Sequence, residues 1–137
     1  MKILYDTNII LDIFLFRTPF VYNSIKLVSA VENSIVHGYL CATTITTIQY
    51  LISKELGKSK SNKEIKKLFA IFDIAIVNKI VLERAIVSGI TDIEDAVINE
   101  SAISSGVEGI VTRNIKDYKK SKLSIYEPHE LVAALDL

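Results

Sequence analysis

The sequence predicts an α/β fold: a three-layer α/β/α sandwich around a central, mostly parallel five-stranded sheet. Three observations predict it. Five short runs, Lys2–Tyr5, Tyr39–Ala42, Ile74–Val77, Gly109–Thr112 and Ser124–Tyr126, are β-branched or aromatic and have the length of buried strands. Longer stretches between them repeat apolar residues at helical spacing. No hairpin signal joins one strand to the next, so the strands run parallel and are linked by crossover helices.

Each helical stretch has its own signature. Val21, Ile25, Val28 and Val31 follow Pro19 at a helical period, as do Ile45, Ile48 and Ile52, and then Ile65, Leu68, Phe69 and Phe72. Ser61-Asn62-Lys63-Glu64 reads as a capping box, in which the serine hydroxyl takes the N3 amide and the glutamate reaches back to the cap amide. Thr91-Asp92-Ile93-Glu94 has the same form and opens a helix that runs to a stop at Gly106. Pro128 suits the first residue of a short final helix.

The length of 137 residues suits one domain spanning residues 1–137. Half of the residues are apolar, enough for a core without disulfides, and Cys41 lies alone in a buried-strand run. Asp6 and Asp12 interrupt the apolar N-terminal segment, no small-residue cleavage site follows, and no apolar run has membrane-helix length. The expectation is a soluble cytoplasmic protein. Sixteen basic and sixteen acidic side chains give zero net charge, so bulk charge does not point to nucleic acid. The lysines are nevertheless clustered, with six between Lys54 and Lys67 and four between Lys116 and Lys122.

In open parallel sheets, ligands bind beyond the carboxyl ends of the strands, where strand order reverses. Acids collect there in this sequence. Asp6 ends the first strand, placed either to cap the next helix or to enter the crevice. Asn114 and Asp117 follow the fourth strand. Of the acids in the Thr91 helix, Glu94 is taken up by the capping box and Asp92 by the helix dipole, leaving Asp95 as the acid directed to the site. Converging carboxylates repel one another unless a cation joins them. Oxygen ligands favour Mg²⁺ or Mn²⁺, and two histidines and one cysteine out of ligand spacing make zinc a poor fit.

Asp6-Thr7-Asn8-Ile9-Ile10-Leu11-Asp12, Asp92-Ile93-Glu94-Asp95-Ala96 and Val111-Thr112-Arg113-Asn114-Ile115-Lys116-Asp117-Tyr118, in that order along nearly the whole chain, resemble a PIN domain. The likeness is greatest to small prokaryotic PIN proteins related to the VapC-type toxins of type II toxin–antitoxin modules. It implies a PIN-like, Rossmann-like sheet and Mg²⁺- or Mn²⁺-dependent cleavage of RNA. Asp6, Asp95 and Asp117 carry over as the catalytic, metal-binding carboxylates, with Asn114 as an outer polar ligand. Thr7, Asn8 and Thr112 would hold the carboxylates by hydrogen bonds. Glu94 is a further pocket candidate, and Arg113 would contact phosphate or pair with a carboxylate. Many PIN domains carry a glutamate early in the helix after the second strand, and here Thr47 aligns with it. An antitoxin protein is an implied partner. A homodimer is expected from the apolar content of Val21–Val31 and Ile45–Ile52 and from the habit of small PIN proteins.

The alternative is a non-catalytic PIN-like module that binds protein or RNA, favoured by the neutral Thr47. Phosphatase-like and receiver-like domains also place Asp at a strand end. Asn8 stands where a haloacid-dehalogenase-like enzyme has its second Asp, and Tyr5-Asp6 is not the acidic pair of a receiver.

Overall fold

Ile3, Leu4 and Tyr5 have no exposed surface. A strand apolar on both faces belongs in the middle of a sheet covered on both sides. In the computed structural model, which describes residues 1–137, that strand is β1 (Lys2–Tyr5). It is followed by α1 (Thr7–Phe14), α2 (Phe20–Glu32), β2 (His37–Cys41), α3 (Ala42–Leu56), α4 (Lys58–Ile71), β3 (Asp73–Ala75) and α5 (Lys79–Val87). Then come α6 (Ile93–Ser104), β4 (Gly109–Val111), a 3-10 turn (Ile115–Tyr118), β5 (Ser124–Tyr126) and α7 (Pro128–Ala134). The five strands lie in the order β3-β2-β1-β4-β5 and every pair is parallel. The predicted strands are all present, with boundaries shifted by at most two residues.

Alternation along the strands divides the core in two. Ile3, Tyr5, Leu40 and Val111 join residues of α1, α2, α3, α4 and α7 in one cluster. Leu4, Cys41, Ala75 and Ile110 join residues of α5 and α6 in the other. These are the three layers expected. Cys41 is fully buried as a free thiol. No helix is long and apolar enough to cross a membrane.

Three details depart from expectation. The buried stripe of α2 is Val21, Ser24, Leu27, Ala30 and Val31, while Ile25 faces outward; on α4, Phe69 does the same. Ser61 is not a cap. Gly57, at φ +80, ends α3 in a conformation that disfavours side chains, and α4 starts directly after it. Ser61 therefore lies inside α4 and donates its hydroxyl back to the Gly57 carbonyl at 2.7 Å, while Glu64 pairs with Lys67. Third, the cap of α6 is Asp92 and not Thr91: the Asp92 Oδ1 accepts from the Asp95 amide at 3.0 Å. Glu94 thus takes no part in a capping box. The final helix begins at Pro128 as expected, with Glu127 and Glu130 forming the capping box.

Candidate functional site

Strand order reverses at β1, whose successor β2 lies on one side and β4 on the other. The crevice beyond the β1 and β4 carboxyl ends is where the acids gather. Asp6 leaves β1 with its amide still bonded to the Val111 carbonyl at 3.0 Å. Its Oδ1 accepts from the Thr7 amide at 2.8 Å, so the capping role is real. Its Oδ2 accepts from the Thr112 hydroxyl at 2.7 Å and the Asn8 side-chain amide at 3.3 Å. Asp6 is 4 % exposed. Burial raises its pKa, and the nearby Glu94 adds to the rise. Hydrogen bonds from Thr112, Thr7 and Tyr118 act the other way.

Two residues lock the strand ends together. The Thr112 hydroxyl also accepts from the Asn114 amide at 3.0 Å and lies 3.4 Å from the Asn8 amide nitrogen. The Asn8 side-chain Oδ1 accepts from the Arg113 backbone amide at 3.3 Å. Thr7 supports Asp6 only through its backbone, since its hydroxyl pairs with that of Thr44 at 2.9 Å.

Asp95, in the first turn of α6, comes to the same crevice. The Tyr118 hydroxyl donates to its Oδ1 at 3.4 Å and also faces Asp6. The Asp95 pKa is pushed up to about 7, first by burial and then by the charges of Asp6, Asp92, Asp117 and Glu94. The Tyr118 phenol is raised as well, chiefly by burial and then by Asp6 and Asp95. Tyr118 is the residue that sequence reasoning missed. Its signal was an aromatic residue with a hydroxyl directly after Asp117, two features that a buried core position also satisfies.

The remaining candidates sit farther out. Asp117 and Asn114 are exposed on and before the 3-10 turn, and Asp117 reaches Asp95 by charge alone. The Thr47 hydroxyl bonds the Thr43 carbonyl at 3.1 Å and stands 3.4 Å from a Glu94 oxygen, which brings α3 to the rim. Arg113 is not free for phosphate. Its Nε and Nη2 donate to the two oxygens of Asp12 at 2.7 and 3.0 Å, and its guanidinium lies 4.0 Å from the centre of the Phe20 ring.

None of Asp6, Asp92, Glu94, Asp95 and Asp117 forms an ion pair. The donor set is all oxygen, its charge has no cation against it, and the neighbouring acids raise the pKa of Asp95 and Glu94 that of Asp6, a chemistry that fits a hard divalent ion. The fit is one of charge more than of preassembled geometry, because no three acidic, histidine or cysteine side chains stand together as a ready ligand set. The Tyr118 hydroxyl is shared between Asp6 and Asp95.

The chain was compared with known proteins. No curated protein sequence matches it. Among solved structures, a chain of a toxin–antitoxin complex from Klebsiella pneumoniae superposes with a TM-score of 0.70 at 20 % identity, covering 93 % of this chain and 98 % of that one. A chain of VapBC-1 from nontypeable Haemophilus influenzae gives 0.70 at 14 % identity, with 94 % and 99 % covered. A chain of VapBC2 from Rickettsia felis, bound to a DNA fragment from their promoter, gives 0.65 at 20 % identity, with 93 % and 98 % covered. These likenesses establish the fold. The PIN domain family model matches residues 2–116, which include β1, α6, β4 and every acid of the crevice except Asp117. The chain therefore belongs to the PIN domain family.

Proposed function

We propose that this protein is a Mg²⁺- or Mn²⁺-dependent ribonuclease that hydrolyses RNA phosphodiester bonds. One observation carries the reading: five carboxylates without a cationic partner surround the crevice where strand order reverses, and Asp6 among them is buried. Such a cluster is costly unless it serves a cation. Asp6, Asp95 and Asp117 are the groups that would hold the ion. When bound, it supplies Lewis-acid stabilisation of charge developing on the scissile phosphate. Thr112 and Asn8 fix the Asp6 carboxylate, and Tyr118 restrains Asp95. The raised pKa of Asp95 belongs to the cluster without a cation, and a bound divalent ion would lower it and hold the carboxylate ionised. Glu94, released from the capping box, joins the cluster from the rim beside Thr47.

The solved relatives are chains of toxin–antitoxin complexes, which supports the toxin of such a pair acting in the cytoplasm and a cognate antitoxin as its partner. We also propose a homodimer. The highest apolar exposures are those of Ile76, just after β3, and of Ile86 and Val87 in α5, at 65, 75 and 81 %, above those of Tyr22 and Ile25 on α2 and Tyr50 on α3. Light scattering at micromolar concentration that finds monomer alone would overturn the dimer.

The test of the activity is cleavage of single-stranded RNA, with DNA of the same sequence beside it, by wild type and Asp6→Asn in Mn²⁺. The expected result is RNA cleavage lost in Asp6→Asn. The absence of a ready ligand set, with Thr47 at the place of an acid, favours a non-catalytic binding module as the second reading. RNA binding without cleavage by wild type would establish it.

A further inference from the structure

The two lysine clusters, equivalent in the sequence, differ in the structure. Lys58, Lys60, Lys63 and Lys67 line a cleft with Leu56–Ser59 and Glu64, which contains none of the crevice acids. Lys67 is already paired with Glu64. Lys116, Lys119 and Lys120 line a different cleft of about 470 Å³ whose other walls are Gly89–Asp92 and Asp117. Asp92 and Asp117, which line this cleft, are two of the four acids whose charges act on Asp95, so the cleft adjoins the acid cluster. None of its lysines forms an ion pair.

The cleft is held in shape. Tyr118, 1 % exposed, anchors the 3-10 turn that carries Lys116 and Asp117, and Lys119 and Lys120 follow it directly. Ser121 ties the end of that segment to Asn99 of α6 and to the Tyr118 carbonyl. The opposite wall turns at Gly89, where φ is +82 and the Lys120 stem passes close: a Cβ there would stand 3.3 Å from Lys120 Cδ and 3.5 Å from Nζ. A bare glycine at this point leaves room for the lysine to lie along the cleft.

We infer that the Lys116–Lys119–Lys120 cleft binds the phosphodiester backbone of single-stranded RNA next to the bond being cut. The inference rests on the ribonuclease reading and adds the path of the strand to it. Three unpaired ammonium groups beside an acid cluster suit a chain of phosphates, one reaching the acids through the cation they would hold and its neighbours bound by the lysines. An acidic protein segment would present carboxylates to the same lysines, and competition by oligoglutamate separates it from RNA. Ammonium groups on flexible stems attract phosphate without reading sequence, so the cleft orders the strand and leaves base choice to other parts of the molecule.

The test compares wild type with the triple variant Lys116→Gln/Lys119→Gln/Lys120→Gln and the control Lys58→Gln/Lys60→Gln/Lys63→Gln. Binding of a fluorescein-labelled oligouridylate is followed in chelator over a range of salt. Loss of three phosphate contacts should lower the slope of log K against log salt by roughly 2 in the first variant and leave it unchanged in the control. In Mn²⁺ the first variant should raise KM for RNA while kcat is held. Equal slopes in both variants, or competition by oligoglutamate as strong as by RNA of equal charge, would overturn the inference. Absence of cleavage by wild type would sink the nuclease reading alone, because the binding comparison is made without it.

Discussion

The guanidinium of Arg113 bonds both oxygens of Asp12, which has no exposed surface, and Arg17 stands 3.6 Å from the same carboxylate. Removing Arg113 leaves the buried carboxylate only the more distant, partly exposed Arg17 and costs it two charged hydrogen bonds, a loss of about 2 kcal/mol or more. Arg113→Ala should therefore unfold at markedly lower denaturant, and any loss of RNA binding it shows reports stability and not phosphate contact. Urea melts of Arg113→Ala and Arg113→Ala/Asp12→Leu check this: the double variant should recover part of the loss. Thr112 makes a comparable argument for the crevice. Its hydroxyl donates to Asp6 and accepts from the Asn114 amide, so Thr112→Val removes a donor to a buried carboxylate and orphans an amide. We expect a loss of about 2 kcal/mol at pH 8, read by the same melts, and a shrinking loss at acid pH as Asp6 takes up a proton. An unchanged melt would mean that Thr112 does not hold Asp6. The place of Asp6 and Thr112 at the crevice was legible in the sequence because each follows a strand, whereas Asp95, in the first turn of α6, was singled out by elimination among its neighbouring acids. Asp12 and Tyr118 were not, since their roles come from partners about a hundred and about twenty residues away.

Element boundaries show why local patterns mislead by one or more residues. Ser61-Asn62-Lys63-Glu64 satisfies the capping-box pattern, yet Gly57 ends α3 so sharply that α4 begins four residues before Ser61's supposed first turn. Thr91-Asp92-Ile93-Glu94 offers two cap residues in succession, and the backbone uses the second. The choice matters to function, because it makes Asp95 the N3 residue, bonded through its own amide to the acid that repels it. Two substitutions separate those effects. Asp92→Ala loses the cap and should cost about 1 kcal/mol in thermal or denaturant melts. Asp92→Asn keeps the acceptor and removes the charge, so the Asp95 pKa should fall below its present value of about 7 while stability is held or raised. Carboxyl titration by NMR reads the first quantity. A pKa for Asp95 that is unmoved in Asp92→Asn would show that the charge of Asp92 plays no part in raising it.

At the scale of the molecule, parallel strands and covering helices follow from strand–helix alternation, which is why the layers were legible. The strand order was not: nothing local states that β4 returns to the far side of β1, although that return creates the crevice. A consequence of the crevice should be visible in the stability of the whole protein. Asp95 has a folded-state pKa of about 7 against an ordinary value of 3.8, and Asp6 is shifted in the same direction. The folded state therefore holds protons that the unfolded chain releases, and this sets the sign. Below pH 4 both states are protonated and the shift has no effect. Between pH 4 and 7 the unfolded state ionises first, and the folded state loses stability relative to it; above pH 7 the full penalty is present. The contribution of Asp95 is isolated by subtracting the melting curve of Asp95→Asn from that of wild type. In chelator, wild type should lose ground to Asp95→Asn as pH rises from 4 to 7 and then run level with it. On the proposed function Mn²⁺ would bind the ionised acids and should reverse the trend, raising Tm more at pH 8 than at pH 5. If wild type gains on Asp95→Asn as pH rises without metal, the carboxylates do not repel one another in the folded state. If Mn²⁺ shifts neither protein at pH 8, the cluster holds no divalent ion.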